Sequence, residues 1–171
     1  PRIVESTPAN RKLTFREDFG VCRAGNGYDT HAFTAGRPLV LCGVHIPYEK
    51  GLLGHSDADA PLHALADALL SAAGLRDIGY YFPDTDPRWE GADSANIVRA
   101  AVRLARERGF APVNASISVL AEKPKLSPYI AEMKTRVAKL LNVPTENVGI
   151  AATTSEKLGF IGREEGIAAY A

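Results

Sequence analysis

The sequence predicts an α+β fold in which a mixed sheet of four to five strands is covered by helices on one face. Segments with apolar residues at three- and four-residue spacing alternate with short extended segments, as in a helix-covered sheet. The 171 residues are enough for one core. The patterns leave open what covers the other face of the sheet, and a free face would be a subunit interface.

The first elements are two extended segments and a helix. The segments lie at residues 22–28 and 38–44, and the second is apolar along most of its length, as expected for a buried strand. The helix has Pro61 in its first turn and apolar residues at helical spacing, and Gly74 is placed to end it.

A second helix and an alternating strand follow. The helix is predicted to begin at Asp93 or Ser94, where a side chain can cap it, and to stop at Gly109. In residues 113–119 apolar residues alternate with Asn and Ser, which is typical of a strand with one face on a core.

The last elements are one helix and two strands. Ser127 and Pro128 are predicted to form the cap and first turn of the helix, and Asn142 is predicted to end it. Residues 148–152 and 166–170 are predicted strands.

Composition excludes several classes of function. The 20 Lys and Arg residues balance 20 Asp and Glu residues, so no general attraction to nucleic acid or anionic lipid is expected. No apolar run is long enough for a membrane span and no secretory signal is evident, so a cytoplasmic protein is expected. Cys22 and Cys42 are far apart, which favours two buried thiols in a reducing compartment.

The beginning of the chain differs from the rest. Residues 1–21 have neither a helical nor a two-residue period, and they are interpreted as an N-terminal tail or linker remnant. Residues 22–171 are interpreted as one domain.

Three separated residues form a candidate metal site. Asp29 and His31 point to the same side of a strand, and His63 on the following helix is their candidate partner. Two imidazoles and a carboxylate leave a fourth tetrahedral position open, which suits catalytic zinc. Asp59 or Asp67 could accept the second ring N–H of His63. A single helical histidine is more often an ordinary side chain, and the residues alone leave that alternative open.

A polar segment follows the first predicted helix. It contains Asp77, Ile78 and Gly79, and then Phe82, Pro83, Asp84, Thr85 and Asp86. Asp77 or Asp84 could accept hydroxyl hydrogens from a polyol. Composition alone favours an ordinary loop.

Two further segments could bind phosphates or a nucleotide. In the first, Thr153, Thr154 and Ser155 offer hydroxyl donors, and Glu156 could hold a hard divalent cation. The second is the turn made of Ala121, Glu122, Lys123, Pro124, Lys125, Leu126 and Ser127, whose backbone groups and lysines could hold a nucleotide. A capped strand end and a plain loop are the competing interpretations.

Taken together and in this order, the segments resemble the 2-C-methyl-D-erythritol 2,4-cyclodiphosphate synthases of the non-mevalonate isoprenoid pathway. The resemblance runs from Arg23 to Ala171. The motifs that carry it are GYDTHAF at 27–33, IPYEKGLL at 46–53, HSDAD at 55–59, DIG at 77–79, FPDTD at 82–86 and TTSEKLGF at 153–160.

The resemblance implies a homotrimer with active sites between subunits, each with one Zn²⁺ bound by Asp29, His31 and His63. The family substrate is a cytidine diphosphate compound, 4-diphosphocytidyl-2-C-methyl-D-erythritol 2-phosphate. Its 2-phosphate attacks its own β-phosphate and expels CMP. Such a transfer needs no protein nucleophile, because alignment and charge neutralisation do most of the work.

The resemblance also implies roles for further residues. Glu156 would hold Mg²⁺ or Mn²⁺, and His55 with Ser56 would contact the 2-phosphate or the transition state, with Thr154 on the phosphates. Asp77, Gly79 and Asp84 would hold the methylerythritol part, and the 121–127 turn would receive cytosine. The remaining predicted substrate contacts are Ile78, Phe82, Pro83, Thr85, Asp86, Thr153, Ser155, Phe160 and Arg163. Phe160, Gly162, Arg163 and Glu165 would line a central cavity in which an isoprenoid diphosphate can sit.

Other interpretations remain at this point. Residues 8–18 faintly resemble the end of the pathway's cytidylyltransferase, which some bacteria fuse to the synthase, and an ordinary extension explains them as well. A metal-dependent phosphohydrolase would use an activated water and release free phosphate. A non-catalytic isoprenoid- or nucleotide-sensing trimer would need a structural zinc site with four protein ligands, whereas three are evident.

Overall fold

A five-stranded mixed sheet with helices packed on it forms the centre of the computed structural model, which describes residues 22–86, 89 and 91–171. The predicted tail lies outside the described residues. The strands are β1 (Tyr28–Ala35), β2 (Leu39–Leu41), β3 (Val44–Ile46), β4 (Lys50–Leu52), β5 (Ala115–Leu120), β6 (Val148–Thr153) and β7 (Gly166–Tyr170). The helices are α1 (Ala60–Ala72), α2 (Ile78–Tyr81), α3 (Ser94–Glu107), α4 (Ile130–Leu141) and α5 (Gly159–Gly162).

The sheet has the strand order β4-β1-β7-β5-β6. Strands β5 and β6 are parallel and every other neighbouring pair is antiparallel. The predicted α+β fold with a mixed sheet is therefore confirmed. The register aligns Asp29 with Ala169, Ala169 with Val119, and Val119 with Ala152, so these four residues form one row across the sheet.

Helices α1 and α4 cover the sheet, and α3 packs on both of them. The predicted starts of α1 and α3 are confirmed: the Asp59 carboxylate accepts the N–H of Leu62 and the Asp93 carboxylate accepts that of Ala95. Fully buried side chains between helices and sheet include Leu62, Leu70, Val98, Ile117, Met133, Leu141 and Ile167. Each contributes about 1.5–3 kcal/mol through burial.

The opposite face of the sheet has no helix on it among the described residues. The row formed by Tyr28, Tyr170, Ser118 and Ala151 lies there, and the two tyrosine rings have centroids 4.7 Å apart. Tyr28 is 45% exposed and Tyr170 is 52% exposed. This row is therefore an exposed, partly apolar strip on the sheet.

The first predicted strand, over residues 22–28, is wrong, because β1 begins only at Tyr28. The two glycines before β1 explain the difference. A Cβ atom on Gly25 would lie 2.2 Å from the Ala68 carbonyl oxygen, and one on Gly27 would lie 2.0 Å from that of Ala64. This segment therefore packs its bare backbone against α1.

The second predicted strand, over residues 38–44, is in fact a hairpin. Strands β2 and β3 pair around a tight turn at Cys42 and Gly43, which have φ values of 52° and 70°. Both turn N–H groups donate to the Asp59 carboxylate, at 2.9 Å for Cys42 and 2.6 Å for Gly43. One carboxylate thus joins the hairpin to the start of α1.

Three smaller expectations also need correction. Ser127 does not cap the helix after it: a 3₁₀ turn over Ser127–Tyr129 precedes α4 and makes no side-chain cap bond. Cys22 is exposed, whereas Cys42 is buried as expected. Strand β4 and helix α2 were not predicted as regular elements.

Within the described residues, no helix has the length and apolar character that crossing a membrane requires.

Candidate active site

The three predicted metal ligands converge. Asp29 and His31 lie two residues apart on β1, and α1 packs on β1 so that His63 meets them. The Asp29 Oδ2 atom lies 2.9 Å from His31 Nε2 and 3.0 Å from His63 Nδ1, and the two ring nitrogens are 3.3 Å apart.

This donor set fits a tetrahedral metal ion. Ligand atoms about 2.0–2.1 Å from zinc are separated by about 3.3 Å along the edges of the tetrahedron. The three observed separations, from 2.9 to 3.3 Å, are close to those edges, and the ligand types are those that zinc prefers. Three protein ligands leave one position open for a substrate or water oxygen.

The hydrogen bonding of His31 supports the same interpretation. Its Nδ1 atom lies 2.7 Å from the carbonyl oxygen of Leu53, which can only accept, so Nδ1 carries a proton. In the neutral ring the lone pair on Nε2 then faces the Asp29 carboxylate, which also only accepts. Two acceptor atoms at this distance require a positive charge between them, which either a metal ion or a proton on Nε2 supplies.

The charges of the triad stabilise one another. Burial alone raises the pKa of Asp29, but the hydrogen bonds and charges of the two histidines outweigh it and hold that pKa well below its usual range. Burial lowers the pKa of His31, and the hydrogen bond and charge of Asp29 outweigh it and raise that pKa. Asp29 is therefore an ionised ligand at neutral pH.

The expectation that Asp59 or Asp67 accepts the second N–H of His63 is wrong. Asp59 is occupied by three backbone N–H groups, and Asp67 accepts the N–H of Ile78 at 2.7 Å. The His63 Nε2 atom instead faces Ser94 Oγ at 2.8 Å and Ser56 Oγ at 3.2 Å. Sequence spacing could not find Ser94, because it is 31 positions from His63.

The loop that carries His55 and Ser56 is anchored by Arg37. The guanidinium group donates to the carbonyl oxygen of Gly54 at 2.6 Å and also to that of Ser56. A Cβ atom on Gly54 would lie 3.0 Å from His31 Cε1, so the loop backbone passes close to the triad. His55 is exposed beside it, whereas the Ser56 side chain is buried. Arg37 was missed by sequence reasoning.

Asp77 lies at the start of a short helix and borders a cavity. Its carboxylate caps α2 by accepting the N–H of Tyr80 at 3.0 Å. The cavity has a volume of about 460 Å³, and its lining includes Tyr28, Asp67, Arg76 and Asp77. The two carboxylates give it the acceptor groups that a polyol needs.

The two candidate phosphate-binding segments form one unit. The Oε1 atom of Glu122 accepts the N–H groups of Ser155 and Lys157, both at 3.1 Å. Glu156 and Lys157 have φ values of 52° and 63°, and the Thr154 hydroxyl donates to Glu156 at 2.9 Å. The hydrogen bonds from Lys157 and Ser155 hold the pKa of Glu122 below its usual range. Glu122 therefore shapes the loop that presents Glu156.

The other predicted contacts differ in exposure. Exposed residues are Gly79, Asp84, Thr85, Lys123, Lys125, Ser127, Thr153, Thr154, Glu156, Phe160 and Arg163. Half-buried residues are Ile78, Phe82, Pro83, Asp86, Glu122, Pro124 and Ser155, whereas Ala121 and Leu126 are buried. Arg163 forms a two-bonded ion pair with Glu165, with N–O distances of 2.8 and 3.0 Å.

The strand that carries Asp29 and His31 is separated by two others from the strand that leads into the Glu156 loop. Asp29 and Ala152 lie in the same row of the sheet, with β7 and β5 between their strands. Three strand spacings amount to about 14 Å. Two cations that act on one diphosphate sit much closer together than that.

Comparisons with known proteins agree with this fold. The family model described as YgbB family matches residues 22–171. A curated relative from Geobacillus thermodenitrificans, named 2-C-methyl-D-erythritol 2,4-cyclodiphosphate synthase, is 58% identical over 86% of this chain and 92% of its own length. One from Symbiobacterium thermophilum with the same name is 58% identical over 86% of this chain and 94% of its own length.

Solved structures are similar as well. One described as a CDP-bound form of 2C-methyl-D-erythritol-2,4-cyclodiphosphate synthase has a TM-score of 0.80 and 44% identity, and covers 86% of this chain and 96% of its own. The bifunctional IspDF from Campylobacter jejuni has a TM-score of 0.85 and 43% identity, and covers 98% of this chain and 48% of its own. With the matching family model and these identities, the chain belongs to the YgbB family of 2-C-methyl-D-erythritol 2,4-cyclodiphosphate synthases.

Proposed function

We propose that the chain converts 4-diphosphocytidyl-2-C-methyl-D-erythritol 2-phosphate into 2-C-methyl-D-erythritol 2,4-cyclodiphosphate and CMP. The convergence of Asp29, His31 and His63 on one point carries this proposal. The relatives named as cyclodiphosphate synthases support the reaction, and the CDP-bound relative supports a cytidine diphosphate ligand.

The chemistry is an intramolecular phosphoryl transfer. A phosphate oxygen of the substrate attacks its own β-phosphorus, the bond to the α-phosphate oxygen breaks, and CMP leaves with the electron pair. Zn²⁺ at the triad would neutralise charge on a phosphate oxygen as it develops. The protein contributes by folding the substrate into line and excluding other conformers.

Residues outside the triad are proposed to hold the reacting groups. His55 and Thr154 would donate hydrogen bonds to phosphate oxygens in the transition state. Glu156 would hold Mg²⁺ or Mn²⁺ between the phosphates, which is chemistry that an exposed carboxylate next to hydroxyl groups can perform. Asp77 and Asp84 would accept the hydroxyl groups of the methylerythritol part.

Residues 121–127 are proposed to receive cytosine. Glu122 ties this turn to the Ser155 and Lys157 backbone, so a base and its phosphates could be held by one unit. The ion pair between Lys123 and Glu164, at 3.0 Å, links the turn to the chain before β7.

A homotrimer with shared active sites is the proposed assembly. The strand that carries Asp29 and the strand that leads into the Glu156 loop are about 14 Å apart across the sheet, which favours a site shared between neighbouring copies over one within a single chain. A neighbouring copy that covers the exposed sheet face would bring its own Glu156 loop to the triad. In a trimer with closed threefold symmetry, each copy would complete the site of its neighbour, so all three sites would be complete.

Three further expectations stay proposals. Phe160 and Arg163 would line a central cavity that accepts an isoprenoid diphosphate. Residues 22–171 would be the synthase domain, with 1–21 as a tail or linker remnant. A cytoplasmic location is also still a prediction.

Product analysis tests the proposed function. The purified chain is incubated with the cytidine diphosphate substrate, with and without a chelator, and products are followed by ³¹P NMR. Equal amounts of CMP and cyclic diphosphate, abolished by the chelator and restored by Zn²⁺ with Mg²⁺, are expected. Free phosphate would indicate a metal-dependent phosphohydrolase, and binding without turnover would indicate a sensor.

A further inference from the structure

The ring nitrogen of His63 that points away from the triad faces a buried hydroxyl group. His63 Nε2 lies 2.8 Å from Ser94 Oγ, and Ser94 is the first residue of α3. The Ser94 residue is 0% exposed, so water does not compete for this contact. The substrate-facing residues described above do not include Ser94.

Asp57 determines the direction of this hydrogen bond. Its carboxylate accepts the Ser94 hydroxyl on one oxygen and the Ser94 backbone N–H on the other, the latter at 3.1 Å. A carboxylate can only accept, so the hydroxyl proton lies on the Asp57 side. The remaining lone pair of Ser94 Oγ faces His63, and Nε2 must donate to it.

We propose that Asp57 and Ser94 are positioning residues that hold His63 in the Nε2–H tautomer and thereby present its Nδ1 lone pair to the metal. Nδ1 lies 3.0 Å from Asp29 Oδ2, on the triad side of the ring. The proposal rests on the metal site of the proposed function and deepens it. Partners of this kind fix ring orientation and strengthen the ligand.

Ser56 shows why the direction matters. Its hydroxyl lies 3.2 Å from His63 Nε2 and 3.4 Å from Ser94 Oγ, and it accepts the N–H of Ala58 at 3.2 Å. Among the described residues, no carboxylate accepts the proton of Ser56 as Asp57 accepts that of Ser94. Without Ser94, the Ser56 hydroxyl can turn and donate to Nε2, which stabilises the tautomer that cannot bind metal through Nδ1.

Asp57→Asn and Ser94→Ala in the full chain test the proposal. Asparagine has nearly the same shape as aspartate, but its amide nitrogen donates hydrogen bonds. If the amide nitrogen faces Ser94 Oγ, the Ser94 hydroxyl must accept from it and can then turn its own proton toward His63 Nε2. If the amide oxygen faces Ser94 Oγ, the amide nitrogen instead opposes the Ser94 backbone N–H. Zinc affinity is measured by competition with a chromophoric chelator. The protonation of the His63 ring is read from ring ¹⁵N shifts of the zinc-loaded protein, in which Nδ1 is a metal ligand.

We expect zinc affinity to fall by about 10- to 100-fold in both variants. The Nε2–H signal of the zinc-loaded variants should shift, because the acceptor of this proton at Ser94 is lost or reoriented. Combining the two substitutions should cost little more than the worse one alone, since both act through one chain of hydrogen bonds. If Ser94→Ala does not fold, the zinc affinity and ring ¹⁵N shifts of Asp57→Asn test the proposal without it.

Asp93→Ala is the matched control, because Asp93 caps the same end of α3 and makes no hydrogen bond to His63 among the described contacts. It should lower the unfolding temperature but leave zinc affinity and tautomer unchanged. The proposal is overturned if Asp57→Asn also lowers only the unfolding temperature. Wild-type protein that binds no zinc would overturn the metal centre of the proposed function as well, whereas zinc binding that is equal in wild type and variants overturns this proposal alone.

Discussion

The triad and the Glu156 loop are built in opposite ways. Asp29, His31 and His63 are each buried or half-buried and held by partners from distant parts of the chain. Glu156 and Thr154 are exposed, and they bond mainly to each other. The first region is complete within one chain, whereas the second offers its donor atoms outward.

This difference fits what each region is proposed to bind. A tightly held ion with protein ligands requires donor atoms fixed within a few tenths of an ångström, which only a packed surrounding provides. A cation that travels with a diphosphate takes most of its ligands from phosphate and water. One exposed carboxylate, shaped from behind by Glu122, is enough for that purpose.

The largest expected effect is that of His63→Ala. Loss of one of three protein ligands should remove most bound zinc and lower CMP release by more than about 100-fold, beyond the usual effect of losing an outer partner of a ligand. Metal content by mass spectrometry and CMP release by chromatography check this. His45→Ala, at an exposed position of β3, is the matched control. Full turnover by the His63 variant would refute its assigned role.

Glu156→Gln should have the next largest effect and a different signature. Removing the charge should lower activity by about 10- to 100-fold and raise the Mg²⁺ concentration needed for half-maximal rate, while zinc content stays unchanged. Steady-state rates over a Mg²⁺ series measure it, with Glu146→Gln as an exposed control. Loss of zinc from this variant would contradict the separation of the two regions.

Mixing the two inactive variants tests whether one active site uses both regions from different copies. After joint refolding of equal amounts of His63→Ala and Glu156→Gln chains, about one quarter of sites in a random trimer would have an intact triad beside an intact loop. Activity should return toward that fraction of wild type. Recovery is not expected if each chain forms a whole site, and either variant refolded alone provides the baseline.

A smaller effect, on the pH dependence of stability, is expected from Asp59, whose carboxylate caps the N-terminus of α1, the helix that carries His63. Burial raises its pKa to about 7, although N–H groups of Gly43, Leu62 and Cys42 favour the charged form. Because the folded state then binds the proton more tightly than the unfolded state, this group makes stability fall as pH rises from about 4 to about 7, by on the order of 2–4 kcal/mol.

Asp59→Asn should remove this pH dependence. The amide cannot ionise, so this position should no longer contribute a change in the free energy of unfolding between pH 4 and pH 7. The free energy of unfolding from urea titrations between pH 4 and 7 measures the difference. A parallel decline in both proteins would assign the pH dependence to other groups.

Local patterns were sufficient for several parts of the fold. Asp59 and Asp93 stand where capping chemistry predicts helix starts, and the alternation before Leu120 marks β5. The hairpin at Cys42 escaped prediction because its turn is held by a carboxylate 17 positions away. Residues 22–27 looked like a strand because apolar periodicity does not reveal that Gly25 contacts a helix backbone.

The candidate site divides in the same way. The residue types of Asp29, His31 and His63 suggested a metal site from spacing and chemistry, and the family resemblance named it. The supporting groups Arg37, Ser94 and Glu122 act through contacts between segments distant in sequence. No pattern of neighbouring residues marks such contacts, so only the folded chain reveals them.

Strand β7 has no metal-binding side chain, yet it governs the geometry of catalysis. It lies between β1 and β5, and Gly166, Ile167, Ala168 and Ala169 are all buried. A slip of one residue in its pairing would shift the neighbouring strands by about 3.4 Å relative to each other. Metal sites tolerate errors of only about 0.2 Å. Natural variation at these four small or apolar positions should therefore be limited by alignment of the reacting phosphates as much as by folding.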